Sequence, residues 1–260
     1  LASGCLARRA NPEILMLRAS IRRFARLTGL TIISRRHVAV PYLEHPPRNV
    51  LDQVLLRCHP SLQGLNFIQA GANDGTRADP IARYLGPCAW SGLMFEPLAA
   101  NFAALRRRHG DNPRLRLRQQ AIDTVAGSRP LYDLDRDAHP ELPDWAHGLA
   151  SFSRDRVLQA ARELRLDERA LMAETITTVS WDEVWRDFGP QRCDLLVLDT
   201  EGYDLTLLRA SNLAERRPRI IHFEHACTPL ADRLAFYGEL LALGYEIATD
   251  GSDTTAWLAS

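Results

Sequence analysis

The chain has 260 residues, 46% hydrophobic and 25% charged, enough to bury a full core and build one α/β domain with a short appendage. Its 32 basic and 32 acidic residues cancel, which excludes the basic excess of a dedicated nucleic-acid binder; every basic residue is arginine, which also excludes Schiff-base or Walker-type lysine chemistry. The five cysteines, Cys5, Cys58, Cys88, Cys193 and Cys227, are odd in number and unclustered, so they predict reduced thiols in a cytoplasmic protein and neither a disulfide framework nor a zinc site.

Residues 1–48 read as a basic arm and linker ahead of a domain spanning 49–260. Residues 1–45 carry eight arginines against Glu13 and Glu44, and Leu17, Ile21, Phe24 and Thr28 recur at helical spacing after Asn11-Pro12. Such a basic amphipathic helix docks on its own domain or on a second subunit, making a homodimer, or else makes weak contact with an anionic membrane surface. No apolar run reaches the length of a transmembrane segment and no secretory leader pattern is present. The chain opens at Leu1, so residues preceding it are expected.

Beyond Pro41, Pro46 and Pro47 the pattern alternates as in a doubly wound, mostly parallel Rossmann-like sheet. Leu65–Ala70 is the first expected strand, and Asp79-Pro80 opens a helix through Leu85. Gly92–Phe95, a helix over Leu98–Arg108 and a strand over Leu115–Ile122 follow. Residues 133–173 are less regular, with a helix near Arg154–Arg165, and read as an insertion serving as a lid or binding loop. Then come a short strand Thr175–Val179, a helix Trp181–Phe188 and strands Asp194–Asp199 and Arg219–Phe223. A helix Leu230–Leu243 leads to a C-terminal antiparallel hairpin around Asp250-Gly251.

Two turns carry the chemistry. The first, Gln69-Ala70-Gly71-Ala72-Asn73-Asp74-Gly75, follows a buried strand. A pyrophosphate site uses three glycines and bare N–H groups, whereas this turn has Gly71 and Gly75 with Asp74 where a phosphate would sit. It suits a phosphate-free donor with a positive end, as in S-adenosylmethionine. Glu96 ends the second strand and either accepts both ribose hydroxyls or caps the next helix. Asp123 ends the third, as a partner for the adenine amino group or as a plain turn residue.

The second turn, Asp199-Thr200-Glu201-Gly202, follows another apolar strand, and Glu224-His225 ends the strand after it. Methyl transfer is an in-line displacement that needs alignment, exclusion of water and a base. His225 or a carboxylate of raised pKa can be that base, or two carboxylates can hold a divalent cation such as magnesium. The structural alternative is that Glu201-Gly202 caps a helix near Tyr203 while His222 packs in the sheet.

These stretches, with Phe95-Glu96-Pro97, Asp194-Leu195-Leu196 and Phe223-Glu224-His225 in the same order over roughly 65–250, closely resemble the FkbM-type methyltransferase family. The resemblance implies a seven-stranded Rossmann-like fold that binds S-adenosylmethionine and methylates a hydroxyl, less often an amide nitrogen, on sugars, polyketides or peptides. It places Gln69, Gly71, Asn73 and Gly75 at the methionine end, Glu96 at the ribose, and Asp199 with Glu201 on the reaction side. Gln69 stands where many members carry Asp, so Asp74 or another acid is left to face the donor's ammonium. A small-molecule, glycan or peptide acceptor follows from the same resemblance.

Overall fold

The computed structural model of the chain describes residues 48–259. The amphipathic arm expected over 1–48, with its membrane-surface and dimer contacts, lies outside the described residues. The described chain opens on a helix the sequence reading missed, α1 (Val50–Cys58), whose N-cap Asn49 accepts from the Asp52 amide at 2.9 Å.

Four strands from apolar runs form the parallel heart of the molecule: β1 (Asn66–Ala70), β2 (Ser91–Phe95), β7 (Leu195–Leu198) and β8 (Ile220–Glu224). Every residue of β7 is buried, and so are four of five in β1 and β2, as strands covered by helices on both faces require. β3 (Leu115–Arg118) flanks them on one side; β9 (Tyr245–Asp250) and β10 (Asp253–Leu258) flank them on the other. The order is β3-β2-β1-β7-β8-β10-β9, and β10 runs antiparallel to both its neighbours. Winding reverses between β1 and β7, so a crevice opens beyond the carboxyl ends of these two strands.

The covering helices are set by local sequence. α5 (Trp181–Phe188) begins with a reciprocal capping box between Ser180 and Glu183 and turns Trp181, Val184, Trp185 and Phe188 into the core. Burying such side chains stabilises the fold by on the order of 2 kcal/mol each, and both indole N–H groups find carbonyls, Leu207 at 2.9 Å and Ser211 at 3.1 Å. α2 (Ala82–Leu85) starts two residues later than expected, with the Asp79 carboxylate accepting from the Ile81 and Ala82 amides. α3 (Ala99–His109) agrees with the sequence to within a residue at each end.

Two expectations need correcting. The single strand read over Leu115–Ile122 is divided at Gln119-Gln120: β3 stays in the main sheet, whereas β4 (Ala121–Asp123) leaves it for a second sheet of order β4-β6-β5. The segment 133–173 is anchored at both ends in a long antiparallel ladder, β5 (Gly127–Leu134) against β6 (Leu171–Ser180), so the unit extends well beyond the insertion anticipated. Its own small core, including Leu134, Leu149, Val157 and Ala160, packs under α4 (Arg154–Glu163). This accessory layer lies over the rim of the main sheet through contacts described below. Among the described residues no helix is long and apolar enough to cross a membrane.

Candidate active site

Register fixes the site. Ala70 pairs with Phe95 and with Leu198, and Leu198 pairs with Phe223, so the residues that follow emerge level at one edge. Because β10 is antiparallel, its first residue, Asp253, faces Glu224 at that same edge. Glu96, Gly71, Asp199, Glu224 and Asp253 therefore form one row across the rim, at about 4.8 Å per strand. A cavity of about 350 Å³ opens above it, roofed by Trp145, Gly148, Ala150 and Phe152 of the accessory layer.

Gly71 is the close point of the row. Its φ of 80° is left-handed, and a Cβ placed there would stand 1.9 Å from the Asp199 carbonyl oxygen, so only glycine lets the two turns meet. Beside it, Glu96 is buried, with Oε2 accepting from the Asn73 amide at 3.0 Å and Oε1 from the Leu98 amide at 2.9 Å. It thus ties the approach to α3, whose N-cap is Leu98, to the first turn while also lining the cavity. Burial pushes its pKa up to about 7, although these donors oppose the shift.

Farther along the row the acids crowd. Asp199 is exposed toward the cavity; the protein packed around it first, then the charges of Asp204, Glu224, Glu201 and Asp253, raise its pKa well above its ordinary value. Glu201 is pushed up to about 7 by burial and by Glu224, against the pull of Arg156, whose Nη2 donates to its Oε2 at 3.2 Å. Asp204, at the start of α6 (Asp204–Ala210), is raised to about 7 by burial while accepting from Thr200 Oγ1 at 2.9 Å. The helix anticipated near Tyr203 is present, and Glu201-Gly202, both with positive φ, form the turn into it.

Several sequence-derived candidates fall elsewhere. Asp74 does not line the cavity; its Oδ1 accepts from Thr76 and Arg77 and ties up its own turn. Gly75, also off the cavity, packs against Leu105 and His109. Asp123 sits in the accessory sheet with its carboxylate taken by Thr124, Tyr203 and Arg129, and Gln120, Ala121 and Ile122 line the cavity in its place. His225 points its Nδ1 at Thr254 Oγ1, 2.9 Å away, and is absent from the cavity wall. Buried His222 bonds Thr255 within the sheet, as its structural reading expected. Gln69, Gly71, Asn73, Glu96, Asp199, Glu201 and Glu224 do line the cavity.

The sequence reading overlooked Asp79, Asn101, Thr200, Ser252 and Asp253 as wall residues. Asp79 answers the question raised by Gln69: both line the cavity, and Gln69 Oε1 and Asp79 Oδ2 are buried without hydrogen-bond partners. The Asp79-Pro80 helix opening was the available signal.

Donor chemistry can be tested against this wall. Arg77 is the only basic residue among the described residues lining the cavity, set against Asp79, Glu96, Asp199, Glu201, Glu224 and Asp253. A phosphorylated cofactor does not fit such a surface, whereas a donor with ammonium and sulfonium charges does. A magnesium site fits less well. Glu201, Glu224 and Cys227 place one ligand atom each within 4.8 Å of one another, but a thiol is a poor magnesium ligand and Arg156 already brings a cation to Glu201 and Cys227.

The model of the methyltransferase FkbM domain matches residues 69–247. Among solved structures, a methyltransferase FkbM from Methylobacillus flagellatus KT superposes with a TM-score of 0.46 at 15% identity, over 75% of this chain. This chain spans 43% of the length of that protein. The METTL16 MTase domain gives 0.41 at 12% identity, covering 95% of this chain and 97% of its own. The human methyltransferase 10 domain containing protein gives 0.38 at 12%, with 95% and 98% covered. No curated protein matches the chain in sequence.

Proposed function

The chain belongs to the FkbM methyltransferase family, and on that premise we propose that it is an S-adenosylmethionine-dependent O-methyltransferase acting on a hydroxyl of a sugar, glycan or secondary metabolite. The observation that carries the reading is the in-register row Glu96, Gly71, Asp199, Glu224, Asp253, which grades from a hydrogen-bonded acid to a crowd of unneutralised ones. When bound, S-adenosylmethionine supplies a methyl carbon on a positively charged sulfur.

Glu96 retains lone pairs beyond those engaged by Asn73 and Leu98 and takes the ribose hydroxyls. Gln69 Oε1 and Asp79 Oδ2 take the ammonium. Glu201, with a pKa of about 7, is matched to neutral solution as the base that receives the acceptor hydroxyl's proton. Asp199, Glu224 and Asp253 favour positive charge at that end of the cavity. The accessory roof covers part of the cavity and, with donor and acceptor bound, limits the water that reaches the transfer end.

A carboxylate base of this strength serves a hydroxyl, which sheds its proton as the new bond forms. An amide nitrogen is a weaker nucleophile and demands more, which ranks peptide N-methylation second. Titration calorimetry of the protein with S-adenosylmethionine and S-adenosylhomocysteine tests the donor, and binding of NAD with neither of these would overturn it. Mass spectrometry of hydroxylated acceptors incubated with enzyme and donor then reads the gain of one methyl group, abolished in Glu201→Gln.

A further inference from the structure

The turn after β7 is held from outside the main sheet. Ser151 is buried, and its hydroxyl donates to the Glu201 carbonyl at 2.8 Å while accepting from the Ser153 amide at 3.1 Å. Ser151 is itself pinned by reciprocal backbone bonds with Tyr132 of β5, both 2.9 Å. One turn later, on α4, Arg156 spans Glu201 Oε2 at 3.2 Å and Cys227 Sγ at 2.9 Å. Phe152 meets Tyr203 edge-on at 5.1 Å, and the Tyr203 hydroxyl donates to Asp123 at 2.8 Å.

The accessory layer thus grips Glu201 by its backbone and by its carboxylate, and braces Tyr203 two residues on. Glu201 also has a φ of 50°, a left-handed backbone that a non-glycine residue keeps only where its surroundings impose it, at a cost of roughly 1–3 kcal/mol. A carboxylate on such a turn, left to itself, would relax away from the rim.

We propose that Ser151 and Arg156 are positioning residues through which the accessory layer holds the Glu201 carboxylate at the transfer end of the cavity. The proposal rests on the donor reading given above. It assigns the accessory layer a task in the chemistry of the site as well as in roofing it, and places that task on two side chains.

S-adenosylmethionine and S-adenosylhomocysteine differ only by the methyl group and the charge it confers on sulfur, so the ratio of their dissociation constants isolates the transfer end. Glu201→Gln should weaken the first relative to the second by roughly fivefold, the scale of one carboxylate lost near a positive charge in a screened site. Ser151→Ala should move the ratio in the same direction, by roughly twofold to threefold; Arg156→Ala also strips a cation from that end, whereas Arg156→Lys keeps the charge and should hold the ratio near the parent value. A merely structural role would shift both constants together.

Hydrogen exchange of the 200–203 amides, measured without ligand, should quicken in Arg156→Ala and Ser151→Ala and recover in Arg156→Lys. An unmoved ratio in Ser151→Ala alongside a shifted one in Glu201→Gln overturns the proposal, and so does unchanged exchange. A protein that binds neither ligand overturns the donor reading instead, and faster exchange in the variants would still establish the grip itself.

Discussion

The turn after β1 and the turn after β7 leave adjacent strands at the same height. In the first, Asn73 and Asp74 bond within the loop, Gly71 and Ala72 donate to the Phe95 carbonyl, and Glu96 gathers the Asn73 amide. In the second, the charge of Glu224 adds to burial in raising the pKa of Asp199, Glu201 and Asp204 alike, and Asp204 Oδ1 and Glu224 Oε2 lack any hydrogen-bond partner. The first turn spends most of its polar groups on bonds within the fold. The second holds charge that the fold leaves unneutralised, which is where a cationic ligand gains most.

The sharpest way to break this contrast is to separate the turns. Gly71→Ala drives a methyl group into the Asp199 carbonyl. It should lower stability by roughly 3 kcal/mol or more and abolish S-adenosylhomocysteine binding, read by denaturant unfolding and calorimetry. Next, Glu96→Ala leaves the Asn73 and Leu98 amides without their acceptor. Each unsatisfied donor costs about 1–3 kcal/mol, so S-adenosylhomocysteine affinity should fall about 100-fold by calorimetry.

A pH series addresses the second turn. Glu96, Glu201 and Asp204 have folded pKa values of about 7, above their ordinary 4.5, 4.5 and 3.8. Between those limits the folded state binds more protons than the unfolded one, so stability is greatest at the acid end and declines as pH rises through 7. The melting temperature of the ligand-free protein should therefore drop by roughly 5–10 °C from pH 5.5 to 8 in a thermal scan. His222, lowered to about 4 by burial, works against this trend between about pH 4 and 6.5, and Asp74 and Asp123, whose pKa values are also lowered, do so at more acid pH, where their carboxylates protonate. The smallest effect sharpens the comparison: Asp199→Asn removes one repelling charge and should raise the melting temperature at pH 8 by roughly 3 °C while weakening S-adenosylmethionine, a trade of stability against function.

Much of this was legible in the sequence, and for stated reasons. Unbroken apolar runs such as Leu195–Leu198 announce buried parallel strands, and an acid placed just past each marks the rim. α5 was read to the residue because Ser180 and Glu183 bracket its start. β5 was missed because Pro130 and its exposed first half hide the alternation of a strand whose partner lies some 40 residues away. Asp253 was invisible because only the antiparallel insertion of β10 brings it beside Glu224. The choice between Glu224 and His225 turned on a single residue of register, which places the first on the cavity wall and the second against Thr254. Arg156 and Ser151 had no local signature, since their significance lies in a contact made between layers.

The missing side chain at Gly71 has a mechanical corollary. With no side chain between the two backbones, there is no slack at that point, and a shift of one loop toward the other would meet its backbone at once. A molecule that settles its sugar ring against Glu96 would thereby also adjust the stance of Asp199, two strands away, without touching it.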